Sequence, residues 1–169
     1  MIFNRFAREA RSSVEAAVAE ARMLGHDSIG DEDLLLGILR ADNGIAAGTL
    51  SSLGVTLEDA RQESERMASD ALSSVGISLD EILTEAGDAF EWSLPDDRRI
   101  PFSTRAKKVM ERALREAVRL RDSYLGTGHV LLAILRCEDG TAVRMLARLG
   151  VLPETLEERL SELRGRADG

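Results

Sequence analysis

Apolar residues recur every three or four positions over most of the chain, which predicts amphipathic helices rather than strands. The spacing is clearest over residues 4–24 and 103–120, and each stretch is followed by a shorter, almost wholly apolar segment at 34–39 or 130–136. These short segments predict helices buried at the centre of the fold. No alternation of period two runs far enough to predict a strand, so the expected fold class is all-α.

The pattern of the first third of the chain returns near its end. Residues 6–55 align with residues 102–151 without a gap, and 19 of the 50 pairs are identical. A long repeat at a fixed offset decides the architecture, because each copy must bury its apolar face against its neighbour. We therefore expect tandem duplicated four-helix repeats, packed about a pseudo-twofold axis with their first helices near the seam.

The repeat also divides the chain. We expect one domain over residues 1–169, with a first repeat at 1–63, a connector at 64–99, a second repeat at 100–164 and a polar tail at 165–169. The connector contains a helix start at Ser78, with Glu81 in the capping-box position. This longer connector is therefore predicted to carry an extra helix over residues 79–90.

Composition narrows the classes of function. The chain carries a net charge of −8, which disfavours binding to nucleic acid or to an anionic membrane. The basic cluster at 105–108 is too small for a nucleic-acid footprint, and Glu111 and Glu116 dilute it. No apolar run reaches the ~20 residues that a membrane span needs, and the first residues lack the layout of a signal peptide. We expect a monomer in the cytoplasm.

Motifs for catalysis or metal binding are not apparent in the sequence. His26 and His129 occupy different positions in their repeats, so no two-histidine site repeats with the fold, and both are expected at the surface or in turns. Neither a phosphate-binding Gly-rich loop nor a nucleophile elbow occurs. The acidic run at 31–33 suits the positive end of a helix dipole better than an acid–base pair. We predict no catalytic residue, no metal and no cofactor.

A duplicated helical domain without such chemistry is typical of a binding protein. Phe3, Phe6 and Phe102 lie at the starts of the first helices, and aromatic anchors are common in peptide-binding hollows. The alternative is that they staple the helix starts to the core, which is favoured for Phe6 because both repeats keep it. Two other classes stay open: a small hydrolase or transferase with an unusual helical site, and a structural bundle that dimerises through its acidic face.

Five segments of the chain resemble the N-terminal domain of the Clp family of AAA+ unfoldases, and the ClpC type in particular. These segments are residues 3–6, 21–26, 29–39, 100–109 and 124–135. The resemblance implies a pseudo-twofold, eight-helix Clp N-domain-like bundle that recognises substrates and adaptors and has no catalytic role of its own. It also implies a Clp-family ATPase, or its client proteins, as partners.

The resemblance implies a hydrophobic hollow between the first helices of the two repeats. In the family this hollow binds cyclic-peptide antibiotics. The matching positions are Phe3, Val14, Phe102, Lys107 and Glu111, and all five keep the chemical character of the family. We therefore expect the hollow to be preserved.

The resemblance also implies a phosphoarginine pocket in each repeat, and both pockets are degenerate here. The first keeps the family's acid as Glu32 but has Asp31 in place of threonine. The second keeps Thr127 but has Gly128 in place of the acid. An aspartate on the phosphate side would repel the ligand, which argues against strong phosphoarginine binding.

The principal hypothesis is a non-catalytic protein- and peptide-binding module in regulated proteolysis. It would act as an adaptor that offers clients to a Clp machine, or as a decoy that sequesters Clp-directed ligands such as cyclic-peptide antibiotics. The alternatives are a reader of phosphoarginine-marked substrates and the N-terminal fragment of a full Clp ATPase.

Overall fold

Eight α-helices make up the part of the chain that the computed structural model describes, residues 6–74 and 100–167, and no strand is found there. The first repeat forms α1 (Arg8–Met23), α2 (Asp31–Ala41), α3 (Gly44–Ser52) and α4 (Leu57–Ser74). The second repeat forms α5 (Thr104–Arg119), α6 (Thr127–Leu135), α7 (Thr141–Arg148) and α8 (Pro153–Ala167). The all-α prediction is confirmed, and the extra helix expected over 79–90 lies outside the described residues.

Helix α1 begins at Arg8, whereas the sequence predicted its start at residue 4. Phe6 and Ala7 are extended, and the Ala7 N–H donates to the carbonyl of Leu125 at 2.8 Å. Phe6 is 7% exposed, so its apolar side chain belongs to the core as expected, although its backbone does not belong to the helix. The predicted helix start was wrong because an apolar residue that fits the helical spacing can instead be extended and form a β-bridge, as Phe6 does with Leu125.

Two isolated parallel β-bridges join the repeats, one between Phe6 and Leu125 and one between Ile29 and Phe102. Phe6 and Phe102 hold the same position in the two repeats, and so do Ile29 and Leu125. The bridges are therefore equivalent contacts, each joining the start of one repeat to the loop between the first and second helices of the other. They support the pseudo-twofold arrangement that the repeat predicts.

Close packing of α1 on α2 depends on Gly37. A Cβ atom added there would collide with the backbone carbonyl of Ser13 and would stand 2.6 Å from the backbone nitrogen of Ala17. Leu34, Leu35 and the rest of the α2 apolar run are buried around this contact. The glycine therefore lets the two helix backbones approach closely, which a larger residue would prevent.

The seam between the repeats is built chiefly from the central and third helices. Helix α3 packs against α6 and α8, and α7 packs against α2 and α4. Each third helix therefore lies against the second and fourth helices of the other repeat. The prediction that the first helices line the seam was wrong in its main part, because α1 and α5 pack mainly on the central helix of their own repeat.

Two helices continue beyond the expected ends of the repeats. Helix α4 runs through residue 64 to Ser74, where Arg148 of α7 pairs with Asp70 at 2.9 Å. Helix α8 runs to Ala167, and Arg164 near its end pairs with Asp122 at 2.5 Å. The expected frayed tail from 165 is therefore helical at its start, while the division into repeats and connector stays a prediction.

Candidate functional site

The loop–helix junctions before α2 and α6 are equivalent in the two repeats. Gly30 and Gly126 are the extended N-cap residues. The side chain three positions on then accepts a hydrogen bond from the N-cap backbone N–H: Asp33 Oδ2 from Gly30 at 2.9 Å, and His129 Nδ1 from Gly126 at 2.9 Å. Each junction therefore has one half of a capping box, in which the side chain at the third helical position accepts from the N-cap glycine, an acid in one repeat and an imidazole in the other.

The same pair of side chains, a histidine and an aspartate, stabilises both junctions with the roles exchanged. His26 Nδ1 lies 2.9 Å from Asp33 in the first repeat. In the second, Asp122 takes the place of His26, and His129 takes the place of Asp33, with Nε2 to Oδ2 at 2.6 Å. Since His129 Nδ1 accepts a hydrogen bond, its proton is on Nε2 and is donated to Asp122.

The expectation that both histidines lie at the surface or in turns is wrong for His129, which is 5% exposed and lies in α6. His26 is half-buried and lies in the turn segment between α1 and α2, as expected. The signal was present in the sequence: histidine and aspartate occupy the same two positions of each repeat in opposite order. This exchange becomes visible only when positions 26 and 33 are compared together with positions 122 and 129.

Shifted pKa values in the first junction follow from these contacts. The hydrogen bond with Asp33 raises the pKa of the His26 imidazole, against the opposing effect of burial. Burial raises the pKa of the Glu32 carboxyl to about 7, and the negative charges of Asp33 and Asp31 contribute to the rise. Glu32 is therefore only partly ionised near neutral pH.

His26, Glu32 and Asp33 are described residues that could hold a metal ion, since one ligand atom from each lies within 4.8 Å of the other two. The Asp33 carboxylate is already engaged by the Gly30 N–H and by His26. A metal would therefore compete with the cap of α2. The expected lack of a bound metal stays a prediction.

Asp31 and Thr127, which hold the same repeat position, each cap a helix of the opposite repeat. Asp31 Oδ2 accepts a hydrogen bond from the Ala142 N–H in the first turn of α7, at 2.9 Å. Thr127 Oγ1 accepts one from the Ala46 N–H in the first turn of α3, at 3.3 Å. Asp31 is 1% exposed, so an internal carboxylate already occupies the positive end of the α7 dipole.

A cleft of about 200 Å³ opens beside the second junction. Its wall includes Thr127, Gly128 and His129 from the start of α6. Its charged lining consists of Arg119, Arg136, Arg164, Glu9 and Glu157. The sequence did not predict these five residues, because they are far apart in the chain and meet only through tertiary packing. Four of them come from the second repeat, and Glu9 comes from α1 of the first.

Inside the cleft, an ion pair positions Arg164, and close packing leaves little room for a side chain at Gly128. Arg164 Nη2 donates to Asp122 Oδ2 at 2.5 Å. Burial alone would raise the pKa of Asp122, but the hydrogen bonds from Arg164 and His129 outweigh it and lower the pKa. A Cβ atom at Gly128 would lie 3.0 Å from Ile45, so an acidic side chain at this position would require Ile45 to shift.

The residues of the expected hydrophobic hollow are partly described. Val14 of α1 and Phe102 are half-buried and pack against the core. Lys107 and Glu111 are exposed on α5, one helical turn apart, and Phe3 lies outside the described residues. The four described positions provide two apolar and two charged groups, and their role as a ligand site stays a prediction.

Two interleaved four-helix repeats, with a cleft at a loop–helix junction, define a duplicated helical domain. The chain belongs to the Clp repeat (R) N-terminal domain family, whose model matches residues 5–80, 63–149 and 101–168. The resemblance seen in the sequence and the expected fold are both confirmed.

Relatives and solved structures agree with this assignment. The chain is 34% identical over 167 residues to a chloroplastic ClpA homolog, CD4B, of Solanum lycopersicum. The alignment covers 99% of this chain but 16% of that protein. It is 38% identical over 150 residues to a ClpA homolog of Cyanidium caldarium, which covers 89% of this chain and 15% of that protein. The N-terminal domain of ClpD from Arabidopsis thaliana has a TM-score of 0.69 at 23% identity and covers 100% of this chain and 98% of that one.

A more distant neighbour of the same fold is the N-domain of ClpV, solved in complex with a VipB peptide. Its TM-score is 0.59 at 14% identity, and it covers 96% of this chain and 88% of that one. Among the described residues, no helix is both long and apolar enough to cross a membrane. The expected cytoplasmic location and monomeric state stay predictions.

Proposed function

We propose that this chain is a non-catalytic protein- and peptide-binding module that acts in regulated proteolysis. It is an adaptor that delivers clients to a Clp-family ATPase, or a decoy that sequesters Clp-directed ligands such as cyclic-peptide antibiotics. The observation that carries the proposal is the match to the Clp repeat N-terminal domain family over almost the whole chain. The peptide bound to the ClpV N-domain supports peptide recognition by this fold.

The described residues of the hollow also support a ligand of mixed character. Phe102 supplies half-buried aromatic surface, and Lys107 and Glu111 supply exposed charges of opposite sign on the neighbouring helix. Binding sites for small ligands and peptides commonly combine apolar walls with a few polar groups that fix orientation. The chain spans 16% of the tomato relative, so the N-terminal part of a longer Clp ATPase is the alternative setting for the same module.

Calorimetric titration with cyclomarin tests the hollow, using Lys107→Ala and Lys108→Ala as a matched pair. Both residues are exposed neighbours on α5, so the two variants lose the same charge from different faces of the helix. We expect the wild-type chain to bind and Lys107→Ala to weaken binding about two- to fivefold. Lys108→Ala should bind as the wild type does. No binding by the wild-type chain, with no Clp ATPase or client in a pull-down, would contradict both roles.

Phosphoarginine recognition is a second candidate, favoured by the cleft beside the second junction. Arg119, Arg136 and Arg164 line it and could meet a phosphate, while Glu9 or Glu157 could meet a guanidinium in place of the acid missing at Gly128. At the first junction the Asp31 carboxylate already accepts from the N-terminus of α7, where a phosphate would otherwise bind. We therefore expect at most one phosphoarginine per chain in the same calorimetric experiment, with Glu9→Gln weakening it. Two equivalent sites would contradict this account.

A further inference from the structure

Helix α5 carries a basic stripe that runs from its second turn to its last residue. Lys108, Arg112, Arg115 and Arg119 follow one another at spacings of four, three and four residues, which places them on one face of the helix. At 1.5 Å per residue the stripe is about 16 Å long. The basic cluster that the sequence indicates at 105–108 is therefore only one end of a longer feature.

Most of these cations have no ion-pair partner in the part of the chain that the structure describes. Across residues 6–74 and 100–167, no carboxylate forms an ion pair with Lys108, Arg112 or Arg115. Arg112 instead donates to the backbone carbonyl of Arg136 at 2.8 Å, which fixes its guanidinium beside the end of α6. Among the described residues, the positive charges of Lys108, Arg112 and Arg115 are therefore not balanced by a carboxylate.

Arg136 extends the stripe sideways, because it lies next to α5 at the end of α6. Arg119 and Arg136 share the carboxylate of buried Glu116, at 2.8 Å and 3.3 Å. Two cations on one anion leave a net positive charge at this end as well. Asp139, the acid near the other end, pairs with Arg105 at 3.7 Å.

Two open pockets lie along the stripe, with volumes of about 420 Å³ and 370 Å³. Both are lined by Arg112, Arg115 and Arg136, so the two pockets form one basic groove. Glu138 lines the first pocket, and Glu111 and Asp139 line the second; all three are exposed at the rim. A ligand must therefore place its negative charges on the arginines and away from these three acids.

The first repeat provides an internal comparison for the groove. The positions equivalent to the four residues of the stripe are occupied by Ser12, Ala16, Ala19 and Met23. The same helical face is thus uncharged in one repeat and basic in the other. Helix α1 has the same length and the same place in its repeat as α5. The basic residues of α5 are therefore not needed merely to keep an exposed helix face solvated.

We propose that the basic groove of α5 and α6 binds a short acidic peptide segment of a partner protein. Residues 100–167 contain thirteen basic and nine acidic side chains, whereas residues 6–74 contain six and thirteen. A partner segment rich in aspartate or glutamate is attracted to this half of the molecule alone, which also orients it. An extended peptide of about five residues matches the length of the stripe.

An acidic peptide fits the groove better than a nucleic acid does. The whole chain carries a net charge of −8, which repels a long polyanion that extends past the groove, whereas a short peptide stays on the basic surface. The rim acids Glu111, Glu138 and Asp139 also favour separate carboxylates, which can avoid them, over a continuous phosphate backbone. This inference goes beyond the proposed function and does not depend on it.

Fluorescence anisotropy with a labelled decapeptide tests the groove, the peptide having glutamate at alternate positions and a glutamine version as control. The double variant Lys108→Gln/Arg115→Gln should weaken binding about five- to twentyfold, from two exposed ion pairs. Neither residue has a described intramolecular ion-pair partner, so the fold should be unaffected, as circular dichroism can check. The matched control Arg144→Gln/Arg166→Gln removes the same charge from exposed positions on α7 and α8 and should bind as the wild type does.

A change of opposite sign gives a second readout. Glu138→Gln removes a rim acid and should strengthen binding about twofold. Cyclomarin binding should be unchanged in Lys108→Gln/Arg115→Gln, so failure of the groove is distinguishable from failure of the hollow. The proposal is overturned if the control variant weakens binding equally, if the glutamine peptide binds as well, or if a single-stranded oligonucleotide binds more tightly than the acidic peptide.

Discussion

Glu32, in the first turn of α2, forms no ion pair within the described residues, although two other carboxylates flank it in sequence. Burial and the charges of Asp33 and Asp31 raise its pKa to about 7. Between its usual value and pH 7 the folded chain therefore holds a proton that the unfolded chain releases. Stability should fall as the pH rises through this window, because ionising Glu32 is less favourable in the folded state.

Glu32→Gln should therefore stabilise the chain at pH 8, by on the order of 2 kcal/mol, and change it little at pH 4.5. The amide keeps the shape of the side chain and removes the charge. Urea unfolding followed by circular dichroism at both pH values measures the difference. Glu15→Gln, at an exposed position on α1, is the control and should change the free energy of unfolding by less than ~0.5 kcal/mol at either pH. An equal gain at both pH values would contradict the assignment.

At this scale the sequence predicted the location of acidic residues but not their partners. The run at 31–33 was correctly placed at a helix N-terminus, since composition and spacing alone indicate it. That Asp31 reaches across to Ala142 could not be predicted, because the two residues are 111 positions apart and their contact depends on how the repeats pack. The pair of His26 and Asp33 was missed for a different reason: the two residues are only seven positions apart, but each repeat position was considered singly and not as part of a pair.

Among the elements, α2 and α3 offer two glycines in contrasting surroundings. Gly37 faces the backbone of α1, whereas a Cβ atom at Gly48 would have no heavy atom within 4 Å. Gly37→Ala should destabilise the chain by about 1–3 kcal/mol, because the methyl group forces the helices apart. Gly48→Ala should stabilise it by about 0.5–1 kcal/mol, through helix propensity alone. Urea unfolding measures both, and a stabilising Gly37→Ala would show that α1 and α2 have room between them.

Helix identities were predictable and several helix ends were not. Thr56 and Ser103 cap α4 and α5 by accepting hydrogen bonds from the backbone N–H groups of Asp59 and Ala106. Such caps can be predicted because capping depends on residues close in sequence. The start of α1 was misplaced because Phe6 fits the apolar stripe but pairs with the other repeat. The start of the connector was expected at residue 64 because similarity between the repeats is lost there, whereas α4 continues to Ser74.

For the whole molecule, the interleaved seam predicts that neither repeat folds alone. The third helix of each repeat packs on the other repeat, and the first turns of α3 and α7 receive their side-chain caps from the opposite repeat. Separate fragments 1–74 and 100–169 should therefore show little helix by circular dichroism. Mixing them should recover most of the helical signal, because the complementary faces become available. A single fragment that unfolds cooperatively would contradict this.

The architecture was predictable because a repeat at constant offset survives in the sequence, and the pseudo-twofold arrangement follows from it. The composition of the seam was not, since every helix of a duplicated bundle has an apolar face, and periodicity does not say which faces meet. The cleft at the second junction was unpredictable for the same reason, as its arginines lie on α5, on α8 and just after the end of α6.

The two bridges, Phe6 with Leu125 and Ile29 with Phe102, give the molecule the geometry of a symmetric dimer made from one polypeptide. In a true homodimer any residue change appears on both sides of the axis at once. Here the covalent link removes that restriction, so equivalent places can hold Asp31 and Thr127, or Met23 and Arg119. Each half can specialise for its own ligand while both retain the contacts that hold them together.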